Sequence, residues 1–286
     1  MRQLYISADL EGVCGVTSVR QVFPKPEDLP RYREAVAQLA KEVLAVVRAA
    51  QSAGVHHLVV NDSHAHMINL GLAHLLELPG VSLLSGKPKA CAMAAGLTQA
   101  FEWAIYLGYH AKAGTEKAVL CHSFHDHLWD VSVNGVSYGE GGLNALYASL
   151  IHQVPVGLVA GDDCFCQEML ALLPTVQTVQ TKTALSFSAA LNRPEPEVLT
   201  ELAEKTHQLL ARPATARQES LLTLAPPYEL RVRFLTTLAA DIVATAPMFD
   251  RVDGRTVAYR TDCFEQLYRA LQTSYSLMAY MTGITG

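Results

Sequence analysis

The chain has 286 residues, a charged fraction of 17% and a net charge of −5. Without a basic run it lacks the clustered Lys and Arg that phosphate neutralisation requires, which excludes nucleic acid as a main partner. No apolar run reaches the roughly 18 residues of a membrane span, and MRQLYISADLEG holds no signal-peptide core. The six scattered cysteines therefore read as reduced thiols of a cytoplasmic protein.

Strands alternate with helices along the chain. LYISA (4–8) reads as a strand. From Arg31 to Ala53, apolar residues at Ala35, Val36, Leu39, Ala40, Val43, Leu44 and Val47 have helical spacing, and Gly54 supplies a stop. HLVV (57–60), VSLLS (81–85) and AIYLG (104–108) follow as strands. Asn134-Gly135, between alternating runs over 129–140, signals a hairpin that ends at Glu140. LNALYASLIHQ (143–153) is a helix and VPVGLVAG (154–161) a strand. DDCFCQEMLALLP (162–174) opens with acids, as helix N-termini prefer, and puts the C-x-C pair Cys164 and Cys166 in a first turn. An amphipathic helix spans 194–211, YELRVRFL (228–235) is a strand, Asp253-Gly254 signals a second hairpin, and a last helix runs from Asp262 to Thr282. The class is α/β: a layered fold with a mostly parallel mixed sheet flanked by helices, plus a smaller α+β portion containing the hairpins. Residues 1–286 read as a single catalytic unit, with room for an inserted α+β subdomain whose boundary the sequence does not fix. ARPATARQES (211–220) is the best linker candidate.

The chemistry collects at strand ends. Asp9 and Glu11 follow the first strand, Asn61-Asp62-Ser63-His64 the second, and Tyr109-His110 the fourth. Glu140 lies inside Gly139-Glu140-Gly141-Gly142, and Asp162-Asp163 follows VGLVAG. Ligands of open α/β sheets bind outside the carboxyl ends of strands, so separate loops would bring three carboxylates and two histidines together there. Crowded acids repel, and a divalent cation offsets that cost. Oxygen and imidazole donors suit zinc, with manganese or cobalt as alternatives. His66, His125 and His127 are further histidines; the H-x-H pair has same-face strand spacing but no acid set attached.

S-A-D-L-E-G (7–12), V-N-D-S-H (60–64), L-G-Y-H-A (107–111), C-H-S (121–123), G-E-G-G-L-N-A (139–145) and V-A-G-D-D (159–163) occur in that order. Over residues 4–165 this series resembles the DppA-type zinc-dependent D-aminopeptidases, metallopeptidases with an S-x-D-x-E-G signature. The resemblance implies two zinc ions per chain. Asp9 would bridge them, Glu11 and His64 would complete one site, and His110 and Glu140 the other. His122 matches the family's catalytic histidine, described as a nucleophile and equally suited to acid–base work. The implied substrate is a short peptide with a small N-terminal D-residue such as D-alanine, and the implied assembly is a homo-oligomer, a ring-based, self-compartmentalising decamer. Two departures stand out: Gly141, where a larger apolar residue is expected, and one extra residue between His110 and His122.

Three further residues are weighed for substrate contacts. Lys112 could neutralise an oxyanion or a substrate carboxylate, and Asp162 or Asp163 could pair with a substrate amine; a solvated loop and a helix N-terminus are their competing roles. Rival readings are the same mechanism on L-peptides, a phosphohydrolase (though no G-x-x-x-x-G-K-[ST] loop is present) and a metal-binding assembly protein without activity.

Overall fold

The computed structural model describes residues 1–71, 75 and 78–278. Its larger sheet has strands β1 (Arg2–Ala8), β2 (Val55–Asp62), β3 (Val81–Leu84), β4 (Trp103–Tyr109), β7 (Val156–Asp162), β8 (Gln177–Ser186) and β9 (Ala189–Asn192), in the order β3-β2-β1-β4-β7-β8-β9. All neighbours are parallel except the β8–β9 pair. A five-stranded antiparallel sheet, β11-β12-β10-β5-β6, is built from β5 (Leu128–Val133), β6 (Val136–Ser137), β10 (Tyr228–Phe234), β11 (Asp250–Arg251) and β12 (Thr256–Thr261). The expected class, a mostly parallel sheet with helices and a hairpin-bearing α+β portion, is the observed one. Among the described residues no helix is long and apolar enough to cross a membrane.

The central strands β4 and β7 are buried along their whole length, as parallel strands covered on both faces must be. One face packs on the Leu29–Ser52 helix, through Leu39, Val43 and Val47, and on the Glu195–Leu210 helix, through Val198, Leu202 and Leu209. The first of these helices ends where expected, with Gly54 at φ +82°. On the other face lie Tyr106, Tyr109, Ala145, Ala148 and Phe165. The smaller sheet shares a second core with the Phe264–Met278 helix, through Val131, Leu230, Val232, Leu267 and Leu271; residues 279–282 of the helix expected there lie outside the described residues.

Both hairpin signals mark turns between paired strands, and Asn134 and Gly135 both have positive φ, as a type I′ turn requires. Three expectations are corrected. The hairpin strand stops at Ser137, and Glu140 instead opens a helix, Glu140–His152, three residues before the expected start. Part of the expected linker is the short helix Ala214–Glu219, whose Ala216 is buried in the first core. Finally, β8, β9 and the Thr237–Ala244 helix were not anticipated. The buried positions of β8 include Thr181 and Lys182, so its polar pattern conceals a strand that is buried in part.

Register sets up the site. Ala8 pairs with Asp62 on one side and with Leu107 on the other, so β1, β2 and β4 end at one edge. Gly12 lets the loop after β1 approach the end of β4: a Cβ there would lie 1.9 Å from the Tyr109 carbonyl oxygen.

Glu42 on the Leu29–Ser52 helix is fully buried and accepts from the Cys14 backbone N–H at 2.9 Å. Burial pushes its carboxyl up to about 7, against the opposing pull of that hydrogen bond. The folded value lies above the ordinary one, so stability present below pH 4.5 is lost as pH rises through about 7. Glu42→Gln should remove that slope, worth up to about 3 kcal/mol between pH 4.5 and 8. Urea unfolding of both proteins across this range measures it; parallel pH profiles would refute it.

Candidate active site

Five buried residues from four chain segments converge at the common edge: Asp9 and Glu11 after β1, His64 after β2, His110 after β4 and Glu140 at the start of its helix. His122 joins them with its side chain 21% exposed. Their ligand-type atoms fall into two groups, Asp9–Glu11–His64 and His110–His122–Glu140, each within 4.8 Å. Asp9 stands between them. Its Oδ1 lies 3.3 Å from His64 Nδ1 and its Oδ2 3.7 Å from His110 Nε2.

Each imidazole is held at one nitrogen by a backbone carbonyl. His64 Nε2 donates to Val22 O at 2.9 Å, His110 Nδ1 to Ala111 O at 3.0 Å, and His122 Nδ1 to Leu120 O at 2.9 Å. This fixes the tautomer and turns the other nitrogen of each ring toward the carboxylates, as the supporting contacts of metal-binding histidines do. The rings of His110 and His122 stack at 4.0 Å, and Nε2 of each is within 3.7 Å of Glu140 Oε1. Glu140 also accepts from Phe124 N–H at 2.5 Å.

Charge is concentrated here with little water. Burial, then Glu11, pushes Asp9 up to about 8. Burial also opposes ionisation of Glu11 and Glu140, but His64 beside Glu11 and His110 beside Glu140 hold both below the usual carboxylate range. The same contacts outweigh burial at His64 and His110 and raise both imidazoles. Both carboxylate oxygens of Glu11 and Nε2 of His110 are buried without a hydrogen-bond partner. Such orphans are rare unless something else satisfies them, and O and N donors at this spacing fit a divalent cation such as zinc.

Other candidates lie elsewhere. Lys112 is not brought to the clusters; its ammonium donates to Ser137 Oγ at 3.0 Å. Asp162 is the N-cap of the Asp163–Leu172 helix, accepting from Phe165 N–H at 2.8 Å, and it also accepts from Val119 N–H at 2.8 Å. Asp163 accepts from Ala184 N–H at 2.7 Å. Both acids thus do structural work: Asp163 ties its helix to β8, and Asp162 steadies the segment that carries His122. Gly141 does not face the site either: a Cβ there would meet Phe165 and Met169. His125 and His127 stack on each other at 5.2 Å, outside both ligand groups.

Two supports brace these loops, and of the two sequence reasoning missed Lys182. Lys182 is fully buried and donates to the carbonyls of Glu11, Val13 and Val16 at 2.5–2.8 Å. Asp62 accepts from Asn69 N–H, Asn69 Nδ2 and Leu70 N–H at 2.6–2.7 Å, which shapes the turn carrying His64. Asp62 stands in the V-N-D-S-H motif, but nothing in sequence spacing links Lys182 to a loop that lies far earlier in the chain.

Adjacent carboxylate–imidazole groups at the carboxyl ends of a parallel sheet, beside a cleft of about 240 Å³, have the architecture of a metal-dependent α/β enzyme. The D-aminopeptidase family model matches residues 1–273. The chain belongs to the D-aminopeptidase family. A curated D-aminopeptidase of Bacillus subtilis (strain 168) is 36% identical over 187 residues, 65% of this chain and 66% of that relative. A solved structure, the Zn-dependent D-aminopeptidase DppA from Bacillus subtilis, described as a self-compartmentalizing protease, superposes with a TM-score of 0.86 at 30% identity. That match covers 96% of this chain and 97% of the other.

Lys182→Met would take the ammonium from three carbonyls and leave those of Glu11 and Val16 without it, while Val13 O keeps the Val16 N–H at 3.1 Å. It should lower stability by about 3 kcal/mol or more. Urea midpoints check this; an unchanged midpoint would show that the loop does not depend on the ammonium.

Proposed function

We propose that the chain is a zinc-dependent aminopeptidase that removes an N-terminal D-residue, small ones such as D-alanine included, from short peptides, with two zinc ions per chain. The observation that carries this reading is the position of Asp9. Its two oxygens face different histidines, at the seam between two donor groups whose Glu11 oxygens and His110 Nε2 have no partner. Asp9 shared, with Glu11 and His64 on one side and His110 and Glu140 on the other, would offer three donors to each of two ions. Manganese or cobalt suits the same donors. Family membership and the zinc dependence named for the similar structure support the choice of metal and substrate.

Zinc, when bound, supplies Lewis acidity for water and the scissile carbonyl. The chain's own residues do the rest. His122, held at Nδ1 by Leu120 O, keeps Nε2 free on the cleft side, where it can take a proton and return it to the leaving amine. Glu140 Oε1 lies 3.7 Å from that Nε2, and the stacked His110 ring fixes the plane of the imidazole. The cleft volume suits short peptides. The self-compartmentalizing description of the similar structure supports a homo-oligomer; a ring-based decamer is the form that the family resemblance implies. All six cysteines are unpaired, which suits work in the reducing cytoplasm.

Hydrolysis of D-Ala-Gly-Gly, L-Ala-Gly-Gly and N-acetyl-D-Ala-Gly-Gly, with zinc and after chelation, tests the reaction. The D-peptide should be the best substrate, the acetylated one poor, and the chelated protein inactive until zinc is restored. Equal rates on free and acetylated peptides would rule out an aminopeptidase, and a clear L preference would overturn the stereochemistry alone.

The division of labour among the residues has its own test. His122→Ala should retain two zinc ions and its Tm while losing about 100-fold or more in kcat. Glu11→Gln and His64→Ala should each lose one ion by elemental analysis. Stoichiometric loss of an ion from His122→Ala would make that residue a ligand instead.

A further inference from the structure

Beside the cleft lies a second cavity of about 310 Å³. Glu11, Phe23, His122 and Asp126 line both spaces, so the two are arms that meet over the same chemistry. The arms differ in character. The first carries Lys87, His66 and His125 on its walls, interleaved with Met67, Met93, Phe124 and Tyr275. Beyond the four shared residues, the side chains of the second are Val19, Val22, Leu120, Leu128, Trp129, Phe187 and Leu235, with Ala113 and Cys121. Five large apolar side chains around it, Val19, Phe23, Trp129, Phe187 and Leu235, are 44–50% exposed. Single exposed hydrophobics are ordinary, but a set gathered from four chain segments around one cavity marks a binding surface.

We infer that the apolar arm receives the side chain of the substrate's N-terminal residue and selects a large apolar one. The inference rests on the aminopeptidase reading. A peptide backbone running into this arm would lose its water and find few groups to hydrogen-bond, which disfavours it. A side chain alone has no such need. The first arm, with the Lys87 ammonium and imidazoles, suits the continuing backbone and a terminal carboxylate. Only the N-terminal residue has a side chain at the reacting centre with no backbone preceding it, so its side chain goes to the apolar arm. The arm has room for about ten waters at about 30 Å³ each. A D-alanine methyl leaves most of that water in place, whereas a leucine or phenylalanine side chain displaces it from apolar walls, which is favourable. Small first residues remain substrates, but the larger ones gain.

Hydrolysis of D-Ala-, D-Leu- and D-Phe-Gly-Gly by the zinc-loaded protein tests this. D-Leu and D-Phe should exceed D-Ala in kcat/KM by about tenfold. Leu235→Trp and Val19→Trp, two independent fillings of the rim, should bring the Leu-to-Ala ratio down to about one. Free D-leucine should shift the emission of Trp129 where glycine does not. If D-Ala-Gly-Gly is hydrolysed at least as fast as the larger peptides, this inference falls and the aminopeptidase reading stands. If no peptide is cleaved, both fall. A changed oligomer mass in Leu235→Trp with an unchanged ratio would assign the apolar rim to a subunit contact and overturn the pocket.

Discussion

The whole site depends on holding Asp9, Glu11 and Glu140 together out of water. Three carboxylates this close destabilise one another, and burial raises the cost of each charge. The protein offsets this with imidazoles: His64 against Asp9 and Glu11, His110 against Asp9 and Glu140, and His122 against Glu140. Those contacts lie at 3.1–3.7 Å, and several lack hydrogen-bond geometry. The frustration is local, at the one edge of the sheet where chemistry is placed, and the large cores behind it supply the stability that tolerates it.

Rigid support keeps this arrangement from relaxing. Three carbonyl oxygens aim the three histidines, and Lys182 gathers three further carbonyls under the Glu11 loop. Thr181, next to Lys182 on β8, donates to the carbonyls of Gly12 and Gly161 and ties that loop to β7. The donor atoms are thus held by the carbonyls of Val22, Ala111 and Leu120 and, beneath the Glu11 loop, by the buried side chains of Thr181 and Lys182 on β8. Preorganised donors lose little freedom when a cation or substrate arrives.

The opening of the site has two contrasting sides, polar toward Lys87 and apolar toward Trp129 and Phe187. Much of that lining comes from the 110–138 segment and from Leu235, beside the antiparallel sheet. The smaller sheet thus shapes what the parallel sheet's chemistry can meet, as loops on a common scaffold set specificity.

Much of this was legible in the sequence. Apolar runs at period 2, helical spacing in 31–53 and the Asn134-Gly135 turn have local physical causes, so the α/β class and most elements could be read directly. Strand ends and turns that local pattern reveals marked Asp9, Glu11, His64, His110 and Glu140, whereas His122 was marked only by the resemblance of C-H-S to the family motif. What only the tertiary structure decided depends on pairing between distant segments. The seam at Asp9 follows from the register of β1 between β2 and β4. Lys182 reads as a polar residue in a Thr- and Gln-rich run until β8 places it beneath a loop more than 150 residues earlier in the chain. Lys112, Asp162 and Asp163 are polar residues near the motifs, yet backbone and side-chain partners hold them to structural work. Residue type and spacing specify which groups can do chemistry; only the long-range hydrogen bonds that satisfy some of them, and leave Glu11 and His110 unsatisfied, select which are free to do it.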